Sequence, residues 1–144
     1  MDKVLPLLTD TALKARDKQT LMVRDAAVAV QQADATLRNL QQFRTELLAR
    51  APGSRGSPAD AQSLLDHQAF VVRLDEAIAM QTLERLRRQE RCDAEQQRLI
   101  EQQQRLMAFQ TLARRRAASH QLKESRRAQS DSDEFAARAS RRAS

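Results

Sequence analysis

Apolar residues recur along the first third of this chain in alternating steps of three and four. Starting at Leu5, the steps reach Leu8, Ala12, Ala15, Gln19, Met22, Ala26, Ala29, Ala33, Thr36, Leu40, Phe43 and Leu47. Eleven of these thirteen positions are apolar, against 41% of the whole chain. Such a seam predicts a helix over about 6–50 that pairs as a left-handed coiled coil. Pro6 suits the first turn of that helix, where a missing N–H is no loss. The middle of the seam is mostly alanine, so a partner helix can approach closely there.

A second seam of period seven runs through Leu64, Val71, Ile78, Arg85, Cys92, Leu99, Leu106 and Ala113. Its companion row is His67, Leu74, Gln81, Arg88, Glu95, Gln102 and Phe109. Between Gln81 and Glu95 this row is polar, while Leu83 and Leu86 fall off it. That pattern reads as a loose or shifted core, or as a point where the seam rotates around the helix.

The two seams are separated by A-P-G-S-R-G-S-P-A-D, from Ala51 to Asp60. This segment holds both glycines and two of the three prolines. Ser57, Pro58 and Asp60 read as an N-cap hydroxyl, a proline at the first helical position and a carboxylate at the third. The expected organisation is one all-α coiled-coil domain over 1–144. It has helix 1 over about 6–50, a turn over 51–59, helix 2 over about 58–129 and a basic tail over 130–144. A short break forces the helices antiparallel, with Leu47 near Leu64 and the Leu5 region near Leu106. Helix 2 outruns helix 1, so the segment beyond about Leu112 is expected to project alone.

Composition supports long helices: 31% of residues are charged, 3% are aromatic, and there is no Trp or Tyr. No apolar run approaches the roughly 20 residues that span a bilayer, and the N-terminal stretch does not read as a signal peptide. Cys92 is the single cysteine, which reads as a small core thiol and fits a cytoplasmic protein. His67 and His120 are too far apart along the helix to converge on a metal. No phosphate loop or catalytic constellation is present, so no enzyme activity and no cofactor are expected.

Charge is unevenly placed. Residues 1–70 carry a net +1, residues 71–104 a net −1 and residues 105–144 the remaining +6. Arg114, Arg115 and Arg116 lead this basic segment. A basic tail can contact nucleic acid, an acidic membrane or an acidic protein, or be a solvated helix end whose cations suit the C-terminal macrodipole. Nucleic acid is disfavoured, because no aromatic side chains interleave the arginines for base stacking.

Three segments go beyond heptad likeness: L-R-N-L-Q-Q-F-R-T-E from Leu37, H-Q-A-F-V-V-R-L-D-E-A-I from His67, and the pair R-L-M-A-F-Q-T-L from Arg105 with D-E-F-A-A-R-A from Asp133. In these the chain resembles the FliJ family, the small soluble component of the bacterial flagellar type III export apparatus. The resemblance implies a two-helix antiparallel coiled coil similar to the rotor stalk of rotary ATP synthases. It implies three partners: the hexameric export ATPase, the cytoplasmic region of the export gate protein, and export chaperones that are escorted back into use. It also implies a cytoplasmic location, peripheral at the inner face of the cell membrane. The family's gate contact matches Leu40, Phe43, Phe70, Leu74 and Ala77 here, whereas Thr36, Leu47 and Gln81 depart from its usual residues. Phe70 lies off the seam and reads as an exposed contact; Phe43 reads equally as contact or packing. Arg114, Arg115 and Arg116 are the expected ATPase contact. The competing readings are the stalk of a virulence type III system, a homodimeric coiled-coil scaffold, and an Arg-rich nucleic-acid binder.

Overall fold

A computed structural model describes residues 3–52 and 60–143. It is an all-α helical hairpin of two long helices packed on each other, α1 (Val4–Ala49) and α2 (Ala61–Ala143), with no strand among the described residues. α1 begins two residues before Pro6, since the first turn of a helix has unpaired N–H groups in any case; Leu7 N–H donates to the Lys3 carbonyl at 3.4 Å. At the other end the spacing tightens. Arg50 N–H is shared between the Glu46 and Leu47 carbonyls, and Ala51 N–H reaches the Leu48 carbonyl at 3.2 Å. Pro52 cannot continue the ladder.

Asp60 opens α2. Its carboxylate accepts the Ser63 N–H at 2.7 Å, and its carbonyl accepts the Leu64 N–H at 3.3 Å. This is N-cap geometry, so Asp60 stands at the mouth of the helix and not three residues inside it. The expected cap at Ser57 and Pro58 lies outside the described residues. The expected helix end near 129 is also corrected, because α2 runs to Ala143. No glycine or proline follows Pro58. Across the polar run Ser130–Asp133, Gln129 donates to Asp133 at 3.2 Å, and Arg138 approaches Glu134 at 4.0 Å. Spacings of four residues such as these support a helix surface.

The chain divides into two compact units: Lys18–Ile100, and Met1–Asp17 with Glu101–Ser144. Within Lys18–Ile100 the helices are antiparallel, since partners descend along α2 as they ascend along α1. Gln19 bonds Glu95, Ala29 bonds Arg88, Ala33 bonds Gln81, and Arg44 bonds Asp75. Both rows read from the sequence hold from His67 to Leu99, where every member is buried or half-buried. Leu64 is exposed. With Phe43 beside Phe70, the register places the end of α1 against the first turns of α2.

The seam neither loosens nor rotates in its polar stretch. Leu83 and Leu86 stay outside it, and polar side chains bridge the helices instead. Arg88 donates to the Ala29 carbonyl at 3.0 Å and Gln81 to the Ala33 carbonyl at 3.3 Å. Arg85 pairs with Asp34. Gln19 donates to both the backbone carbonyl and the carboxyl of Glu95, at 2.9 and 2.6 Å, and Arg98 holds the second Glu95 oxygen at 2.9 Å. Ala26 and Ala33 lie buried opposite these groups. Their methyls leave the α1 backbone within reach of α2 side chains, and Ala33 is fully covered at 0% exposure.

In the other unit, Leu5, Ala12 and Leu106 are buried. Phe109 and Ala113 are half-buried, and every described residue after Ala113 is exposed. Ala113, Arg116, Ala117 and His120 still share a groove with Leu5, Pro6 and Leu13 of α1, so the part of α2 without a helix against it begins beyond His120, later than the expected Leu112.

Two outcomes follow from this packing. Gln19→Leu leaves one buried Glu95 carboxyl oxygen without its partner, while Arg98 still holds the other, and should cost about 1–3 kcal/mol. The double variant Gln19→Leu/Glu95→Leu should cost less than the sum of the singles in a urea-unfolding double-mutant cycle. Second, the Ser63 hydrogen bond holds the Asp60 carboxyl below its ordinary range. The cap is therefore present above the usual carboxylate pKa and is lost as pH falls through the depressed value. The Ser63 amide resonance should follow a titration with a midpoint below 3.8, and Asp60→Ala should abolish it.

Candidate partner-binding surfaces

The residues expected to meet a partner near the start of α2 separate into surface and support. Phe43 and Phe70 are 47% and 43% exposed. Their rings stand edge to face, with centroids 6.0 Å apart and planes at 69°. Both therefore share one outward patch, and Phe43 stands on the surface as well as against Phe70. An edge-to-face pair contributes about 0.5–1.5 kcal/mol beyond the area it buries, so each ring holds the other's rotamer while leaving an aromatic surface open. Leu40 and Ala77 are half-buried, whereas Leu74 is buried in the seam. Leu74 thus supports the patch from within and is not available on its surface. Gln81 is occupied by the Ala33 carbonyl, and Thr36 Oγ1 donates to its own helix at Gln32, 3.0 Å away. Arg44, next to Phe43, donates to Asp75 at 2.5 Å, and this carboxylate raises the Arg44 pKa further.

Arg114, Arg115 and Arg116 are all exposed, and none has an ion-pair partner among the described residues. Successive helical residues are about 100° apart, so three in a row spread positive charge around more than half of α2. Apolar surface lies beside them. Arg116 lines a groove of about 660 Å³ with Leu5, Pro6, Leu13, Ala117 and His120. Arg115 lines a second hollow of about 540 Å³ with Met107 and Leu112. His120 Nε2 lies 3.6 Å from Glu124, one turn on, and this pair is ionic only when the imidazole is protonated.

Chemical sites do not assemble. Cys92 is buried on the seam, and no group of three or more metal-ligating side chains occurs among the described residues. Among the described residues, no helix is long and apolar enough to cross a membrane. One feature escaped the sequence reading. Arg87, Arg88 and Arg91 line a hollow of about 440 Å³ floored by Ala26 and Ala29, with Glu84 on its edge. The run R-L-R-R-Q-E-R signals it, but in a linear reading that run registers only as an interruption of the seam.

The family described as Flagellar FliJ protein matches residues 1–144. The Flagellar FliJ protein of Salmonella typhi is 30% identical over 138 residues, covering 96% of this chain and 94% of its own length. The two helices, the exposed aromatic pair and the exposed arginines thus sit on a chain that belongs to the FliJ family of flagellar protein export.

Proposed function

We propose that this protein acts as a stalk and escort in flagellar protein export. Its arginine-bearing segment docks in the hexameric export ATPase, its Phe43–Phe70 surface meets the cytoplasmic region of the export gate, and it carries export chaperones back into use. In this reading it works in the cytoplasm, peripheral at the inner face of the cell membrane, as a binding protein and not a catalyst. The observation that carries the reading is the cluster Arg114–Arg116: three adjacent cations, all exposed, without ion-pair partners among the described residues, with Arg116 on the rim of the groove that α2 shares with the start of α1. Side chains of that kind sacrifice no internal contact when an acidic partner arrives. Membership of a flagellar export family supports a partner within the export apparatus, and the ATPase is the partner proposed here. Membership also favours the flagellar system over a virulence one.

Electrostatic docking of exposed charges is fast and salt-sensitive. Arg114→Gln/Arg115→Gln/Arg116→Gln keeps helix propensity while removing three charges. With each exposed pair worth about 0.2–1 kcal/mol, affinity for the ATPase should fall roughly threefold to a hundredfold, and its salt dependence should shrink. Binding to the gate protein should be unchanged. Phe43→Ala/Phe70→Ala should do the reverse, with little loss of thermal stability. Both are read by titration calorimetry of the full chain at two salt concentrations. An arginine triple variant that keeps the ATPase and loses the gate would reverse the assignment.

A further inference from the structure

α2 carries a second apolar row outside the hairpin seam. Counting by sevens from Leu65 gives Leu65, Val72, Ala79, Leu86, Asp93 and Ile100. The four large apolar members are 46–59% exposed, and Leu83 beside them is 54% exposed. The row lies within Lys18–Ile100 and is sustained over five heptads, the spacing that marks a helix-to-helix seam. Phe70 is five residues from Leu65, about 140° around the helix, so the aromatic patch lies on a different side.

Charge is sorted around this row. Residues three and four positions beyond each member are its neighbours on the helix surface. The row and those two flanking columns contain Asp75, Glu76, Glu90 and Asp93, but no lysine or arginine. All six arginines of this stretch, Arg73, Arg85, Arg87, Arg88, Arg91 and Arg98, fall elsewhere on the helix. Of the four carboxylates, Asp75 is matched by Arg44 of α1 and Asp93 accepts only a neutral amide, from Gln89 at 3.0 Å. Glu76 and Glu90 have no ion-pair partner among the described residues. The surface is therefore an apolar strip with an acidic border.

A second copy of the chain does not suit this border. Parallel pairing sets Glu76, Glu90 and Asp93 against themselves, and antiparallel pairing that aligns Leu65 with Ile100 sets Glu76 against Glu90. We propose that the Leu65–Ile100 row is a docking seam for an α-helix of a different protein, one that presents a heptad row of large apolar residues flanked by Lys or Arg.

The probe is a 35-residue synthetic helix with leucine at its heptad core positions and lysine at the flanks, together with a twin carrying glutamate at the flanks. Binding to the full-length protein is measured by fluorescence anisotropy, and the oligomeric state of the protein alone by light scattering. The lysine helix should bind and the glutamate twin should not. Val72→Gln/Leu86→Gln should weaken binding at least tenfold without lowering the melting temperature, because both side chains lie outside the hairpin seam. Glu76→Lys/Glu90→Lys should reverse the preference toward the glutamate twin. The proposal is overturned if the lysine helix fails to bind or if Val72→Gln/Leu86→Gln leaves its binding intact. It is also overturned if the charge reversal leaves the preference unchanged, or if the protein alone is a dimer that Val72→Gln/Leu86→Gln dissociates, which would make a second copy the occupant.

Discussion

The hairpin between Lys18 and Ile100 depends on side chains of α2 reaching the backbone of α1. Coiled-coil seams usually bury large aliphatic knobs, and each contributes about 1.5–3 kcal/mol of hydrophobic stabilisation. Here α1 offers Ala26, Ala29 and Ala33, whose methyls bury little area. What they provide is proximity. With no bulk in the way, Arg88 and Gln81 donate to the carbonyls of Ala29 and Ala33. Gln19 closes the far end of the stretch on Glu95. Each such bond adds only about 0.5–1.5 kcal/mol net, but leaving a buried polar group without one costs about 1–3 kcal/mol. The seam is thus specified by geometry: a slip in register would unpair all of these groups at once.

That choice determines what lies outside. Because the row from Gln81 to Glu95 is polar and turned inward, Leu83 and Leu86 are turned outward. Arginines that bridge the helices leave the opposite border of α2 acidic. α2 therefore presents different chemistry around its circumference: Phe70 beside Phe43 of α1, an apolar strip with carboxylates, and exposed arginines at Arg114–Arg116. A coiled coil can offer several distinct surfaces, because each side of a helix is an independent surface.

Much of this was legible in the sequence, and the reasons differ by feature. Period seven is set by the geometry of the helix itself, so both rows from His67 to Leu99 could be read in advance. The Pro and Gly cluster before Asp60 gave the break. The failures were of two kinds. Propensity at the surface misled at Ser130–Asp133, where pairs four residues apart carry the helix onward. Long-range contact was invisible at Leu64: whether a leucine is core or surface depends on where the other helix ends and how it is registered. Phe70 was legible as exposed because it falls off the seam, but Phe43 needed its ring neighbour. The bonds from Arg88 and Gln81 to alanine carbonyls could not be read at all, since a backbone acceptor carries no sequence signal.

The claim that alanine serves here to bring backbones within reach is tested most directly at Ala33. In a conventional heptad seam, Ala33→Leu would fill a core position and raise stability. In this account leucine pushes α2 away, breaks the Gln81 bond and leaves buried polar groups unpaired. Urea unfolding of the Ala33→Leu chain, followed by circular dichroism at 222 nm, should show a loss of about 1–3 kcal/mol. A variant more stable than the parent would contradict the account.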